Sequence, residues 1–159
     1  MTLKTKTSIL ALPLVPVVAL ALVLSTGAAS VSADGRAGHF TATKDCTGFA
    51  VGANFCTLVN ISDPKLARLL EGTNLYYEQP GFFLLADGSP LLDSNVALDA
   101  GSGDKARGRC TFDPTNGMGL CTIEDGFGAL TRLHARIDVD CTAGLVCSVK
   151  GTYSFGDDD

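Results

Sequence analysis

From residue 131 to 141 the chain alternates strictly. Leu133, Ala135, Ile137 and Val139 fall between Arg132, His134, Arg136, Asp138 and Asp140. Successive side chains of an extended chain point to opposite faces, so this period of two predicts a half-buried strand. The same reading predicts strands over 55–61, where Phe55, Thr57, Val59 and Ile61 share a phase, and over 92–99, 105–112 and 149–155. Residues 73–78 and 82–86 read as two further strands split by Pro80-Gly81, and 107–112 with 119–124 as a hairpin. Between them lie turn formers: Asp87-Gly88, Gly101-Ser102-Gly103, Asn116-Gly117 and Asp125-Gly126. One helical turn is expected over 63–70, with Ser62 as N-cap, Pro64 in the first turn and Gly72 past the end. Seven or eight short strands at roughly ten-residue spacing describe a small antiparallel barrel or sandwich. Gly108, Gly119, Gly126 and Gly128 favour sharply coiled strands, and therefore the barrel.

The N-terminal fifth follows different rules. Lys4 and Lys6 precede the apolar run Ile9 to Leu24, and small residues end it at Val31-Ser32-Ala33. That order is the pattern of a secretory signal peptide, with cleavage expected before Asp34. Pro13 and Pro16 interrupt the run, which argues against a retained membrane span. The expected organisation is a leader over 1–33 and one domain over 34–159, secreted to the exterior or a periplasm. The 46% hydrophobic content excludes a disordered chain. Loss of Lys4 and Lys6 would move the net charge from −5 to −7, which disfavours nucleic acid and anionic membrane surfaces as partners.

All six cysteines, Cys46, Cys56, Cys110, Cys121, Cys141 and Cys147, follow the leader, and an even number in a small exported domain implies disulfides. Six cysteines allow 15 pairings; the spacing favours the local set 46–56, 110–121 and 141–147, each closing over a turn. Cys110 and Cys121 sit symmetrically about Thr115-Asn116, so a hairpin there places them face to face. No C-x-x-C occurs, and neither His39 nor His134 adjoins a cysteine pair, so no metal and no cofactor are expected.

Several short motifs occur in order: Gly108-Arg109-Cys110, Gly119-Leu120-Cys121-Thr122, Asp125-Gly126-Phe127-Gly128-Ala129-Leu130, His134 to Val139, and Gly151-Thr152-Tyr153-Ser154-Phe155. Together they resemble exported bacterial proteins with an allene oxide cyclase-like, or dirigent-like, β-barrel domain. The resemblance implies an all-β, eight-stranded antiparallel barrel whose lumen admits an apolar small molecule, and homo-oligomers are common among such proteins. It carries over no catalytic residue, because the first half of the chain does not match by motif.

Candidate chemistry therefore comes from the residues alone. Glu78, after Tyr76-Tyr77, and Glu124, at the end of the 119–124 strand, are candidate carboxylates for stabilising a cationic intermediate, with rim or surface positions as the competing reading. His134, flanked by Arg132 and Arg136, is a candidate acid or base on an anion-binding face if that face lines the lumen; an exterior face is the alternative. Lys105, Arg107 and Arg109 raise the same question, and cross-strand pairing with Asp138 or Asp140 would neutralise them. Tyr76, Tyr77, Phe82 and Phe83 are candidates for a pocket wall or for core packing. Asn60-Ile61-Ser62 is a glycan acceptor only in a eukaryotic source. Three functions stay open: a cyclase-like or coupling-guiding barrel, a non-catalytic carrier, and an interaction module whose barrel is filled.

Overall fold

The computed structural model describes residues 36–156; the expected leader at 1–33 and the terminal acidic residues 157–159 lie outside the described residues. Eight strands form one closed antiparallel barrel: β1 Arg36–Asp45, β2 Phe55–Val59, β3 Asn74–Leu84, β4 Pro90–Asp99, β5 Lys105–Asp113, β6 Met118–Phe127, β7 Leu133–Asp140 and β8 Val146–Phe155. Each strand pairs with its neighbour in sequence, and β8 returns to β1 over ten residue pairs from Arg36↔Phe155 to Asp45↔Val146. Closure leaves no edge strand, although β1 before Thr43 and β3 beyond Tyr76 have no partner on β2.

The eight-stranded count conceals two departures from the sequence pattern. β1 was not among the predicted strands. Residues 73–78 and 82–86, expected as separate strands, are the two ends of β3. A register shift between Glu78 and Gly81, with Gln79 at φ 52°, absorbs Pro80 as a bulge instead of ending the strand. β3 meets β2 only through Asn74, Leu75 and Tyr76. Past that point β3 and β4 continue as a two-stranded arm, and its tip exposes Phe82, Phe83, Leu84 and Leu85, the first of them by 62%.

Inside the barrel, Phe40 and Ala42 of β1, Leu58 of β2, Leu75 of β3, Val96 and Leu98 of β4, Ile123 of β6, Leu133 and Val139 of β7 and Tyr153 of β8 form one buried cluster. Close strand approach at the bends requires glycine. A Cβ on Gly108 would collide with the Thr122 carbonyl beside a second register shift, and one on Gly126 with the Leu130 carbonyl. These are two of the glycines from which the sequence favours a barrel.

The two ends of the barrel differ. At one end the β2–β3 connection carries the helix α1, Pro64–Leu70, whose Leu66 and Leu70 are buried and close the lumen. Its N-cap is Asp63 and not Ser62: the Asp63 carboxylate accepts from the backbone amides of Lys65 at 2.8 Å and Leu66 at 2.9 Å. Those bonds, Leu66's first, hold the Asp63 carboxyl below its ordinary range. Ser62 Oγ instead accepts from the Thr41 amide, fastening the loop to β1. At the other end the β1–β2, β3–β4, β5–β6 and β7–β8 connections surround an open mouth. The three disulfides all lie there, paired 46–56, 110–121 and 141–147, with Cα separations of 4.2, 4.1 and 4.2 Å.

Candidate functional site

The lumen proper is filled. Its residual gap is about 30 Å³, lined by apolar side chains including Leu66, Leu98, Ile123 and Leu133. That volume holds on the order of one water, and an apolar gap of that kind stays dry. Space for a small molecule exists one level higher, in a half-open cup of about 410 Å³ at the mouth. All six cysteines line it, together with Phe49, Leu92, Phe112 and Leu145. No cysteine is free.

Lys44 separates the two spaces and lines both, as do Cys121 and Val139. β1 positions it: Phe40, Ala42 and Lys44 share the inward phase, so the lysine enters the barrel where the sheet pattern calls for an apolar residue. Its side chain is 6% exposed and donates a hydrogen bond of 2.9 Å from Nζ to the Tyr77 hydroxyl. Nζ lies 5.6 Å from the Tyr77 ring centroid. That is about the bond length plus the distance from the centroid to the hydroxyl oxygen, so the nitrogen sits beyond the ring edge and not over its face. The contact is a hydrogen bond and not a cation–π pair.

Burial lowers the Lys44 amine from 10.5 to about 8, and burial pushes the Tyr77 phenol up to about 12. The only cause of each shift is loss of water, so no carboxylate compensates the lysine. Among the described residues the ion pairs are Lys105–Asp99 and Arg109–Asp93, and neither involves Lys44. Asp93 lines the cup, but Arg109 engages its carboxylate, Nε donating to Oδ1 at 2.7 Å, and this pairing keeps Asp93 well ionised. These two pairs also correct the expected partners of the β5 cations. They are Asp93 and Asp99 of β4, directly beside β5, and not Asp138 or Asp140, which lie two strands away beyond β6. Ser94, buried and in phase with Val96 and Leu98, donates from Oγ to the Glu78 carbonyl at 3.0 Å.

Of the residues singled out from sequence, Tyr77 lines the cup and packs edge-on against Phe49 at 5.5 Å between centroids. Glu78 and Glu124 are exposed. Leu133, Ala135, Ile137 and Val139 take the inward face of β7. His134 and Arg136 are therefore on the outside, Arg136 in a shallow groove with His39, Asp138 and Lys150, and Arg132 is exposed. Tyr76 packs outside the barrel against Phe55, the rings tilted at 54° with centroids 5.3 Å apart, and Phe83 covers Gly81 on the arm. The structure thus brings Tyr77 together with Lys44, which the sequence reading passed over. The available signal was its phase with Phe40 and Ala42. Among the described residues no cluster of three or more His, Cys, Asp or Glu could hold a metal ion, and no helix is long and apolar enough to cross a membrane.

No protein-family model, no curated protein and no solved structure matches this chain.

Proposed function

We propose that the protein is an exported, non-catalytic binding barrel that carries an apolar small molecule in its disulfide-lined mouth. The observation that carries this reading is the pairing of a filled lumen with a cup of about 410 Å³ whose walls are sulfur, aromatic and aliphatic. Ligand sites are typically concave, predominantly apolar and of this size, with a few polar groups fixing orientation. Here Lys44, Tyr77 and Ser94 are those groups. The cyclase reading of the sequence calls for a carboxylate that faces the bound molecule and stabilises a cationic intermediate. Glu78 and Glu124 are exposed instead, and Asp93 is engaged by Arg109. The barrel also suits the resemblance to allene oxide cyclase-like proteins, which rests on the order of motifs from Gly108 to Phe155.

Export is part of the proposal, supported by the leader pattern and by the oxidation of every cysteine. Native mass spectrometry of unreduced protein from its own host's secretions tests both halves. The expected species begins at Asp34, lacks six hydrogens, and carries an additional small-molecule mass. Leu92→Trp, which enlarges an inward-facing side chain of the cup wall, should abolish that added mass and the uptake of an environment-sensitive apolar dye. Equal dye binding by Leu92→Trp and the parent would refute the cup as the binding site.

A further inference from the structure

Lys44 is the one described lysine with a buried side chain; Lys65, Lys105 and Lys150 are exposed. A buried amine without a counter-ion in an apolar cup favours any reaction that makes it neutral, because the ammonium is the form that burial penalises. We propose that Lys44 is a carbonyl-capture residue: its Nζ, at the floor of the cup and hydrogen-bonded to the Tyr77 hydroxyl, condenses with apolar aldehydes entering the mouth and holds them as an imine. This assignment rests on the reading of the mouth as an apolar binding cup, and it names the ligand class of that site.

The neutral Nζ lone pair attacks the carbonyl carbon, the carbon–oxygen π pair moves onto oxygen, and one nitrogen proton transfers to that oxygen. The nitrogen lone pair then forms the C=N bond as the oxygen leaves as water with the second nitrogen proton. Nothing is oxidised or reduced. Tyr77 is placed to relay these protons, since its hydroxyl is 2.9 Å from Nζ and burial keeps it protonated. Two further features suit the chemistry. Every thiol that would compete for the aldehyde is tied up in a disulfide. With its amine lowered from 10.5 to about 8, Lys44 also has a neutral fraction about 300-fold larger than an ordinary lysine's at neutral pH. Its lower basicity costs intrinsic nucleophilicity, which leaves a net kinetic preference on the order of tenfold.

The test is timed imine formation between the intact, oxidised chain and octanal at pH 7, trapped by brief treatment with borohydride, which reduces neutral imines, with each modified lysine located by peptide mass spectrometry. Lys44 is expected to be labelled about tenfold faster than Lys65, Lys105 and Lys150, with a rate that levels off above pH 8. Excess 1-octanol should suppress the labelling. Lys44→Met should lose the fast phase while keeping the near-UV dichroism of the parent, and Tyr77→Phe should slow it. Labelling of Lys44 no faster than the exposed lysines overturns the proposal. If 1-octanol or octanoate displaces a cup-bound dye while Lys44 stays unlabelled, the cup stands and imine chemistry fails. If no eight-carbon probe displaces the dye, the binding reading fails with it.

Discussion

The two ends of this barrel solve the same problem by different means. At the α1 end, Leu66 and Leu70 fill the lumen, Asp63 caps the helix, and the Glu71 carboxylate accepts from the amides of Asn60 at 2.7 Å and Ile61 at 3.0 Å. At the mouth no α-helix among the described residues fills the opening, and Cys46–Cys56, Cys110–Cys121 and Cys141–Cys147 tie the strand ends together. One end is stabilised by burial and the other by covalent cross-links. A barrel can keep an open apolar recess only if something other than packing holds its rim, and disulfides do so without occupying the space a plug would take.

The largest expected effect is at the packed end. Leu66→Ala removes a side chain that is 1% exposed and should cost about 3 kcal/mol in denaturant unfolding, while the cup still takes up dye. An equally stable variant would refute burial as what holds this end, and one that lost the cup as well would show that the ends are not independent.

Lys44 provides the next contrast, through pH. Its amine is lowered when folded, so the unfolded chain binds more protons between about pH 8 and 10, and stability rises with pH across that window. The full gain is on the order of 3 kcal/mol, part of which Tyr77 reverses above pH 10, where its raised phenol pKa acts in the opposite sense. Lys44→Met should abolish the rise below pH 10 and be more stable than the parent at pH 7; parallel pH profiles for the two chains would refute the burial argument.

At the mouth, replacing Cys110 and Cys121 together with Ala opens an 11-residue cross-link and should cost about 2–3 kcal/mol. It should also weaken dye uptake, which Leu66→Ala should not. The smallest effect belongs to the cap. Asp63→Ala should cost about 1 kcal/mol at pH 7. Because the Asp63 carboxyl is lowered in the folded chain, that difference should shrink as pH falls through the carboxylate range.

The closed end was more legible in the sequence than the mouth. α1 was announced by Pro64 and Gly72, and only the choice between adjacent cap residues went the other way, because Ser62 was needed by Thr41. The strict alternation of β7 marked it as a strand but left open which face turns inward, and cysteine spacing anticipated all three cross-links, since each closes over one turn. The cup was hidden for a physical reason. Period-two reading identifies a strand by apolar residues recurring in phase, and Lys44 occupies an inward position of β1, so neither the strand nor its lysine stands out. Ser94 also occupies an inward position, but Val96 and Leu98 beside it leave β4 legible over 92–99. Glu78, Glu124 and His134 stand out in the sequence instead, because acids and bases are what a strand's outer face displays.

The seam between β1 and β8 has a consequence for how the chain folds. Strands β2 to β8 can zip up as successive hairpins whose partners are close in sequence. β1 has only three pairs to β2, at Thr43, Lys44 and Asp45. Its other partner, joined along ten pairs, lies at the far end of the domain. Closing that seam is the single high-contact-order event in an otherwise local topology, so it should set the folding rate. Until β8 arrives, the N-terminal half of β1 is an unprotected sheet edge with Phe40 on its apolar face, the point at which a nascent or refolding chain is most exposed to pairing with a second copy.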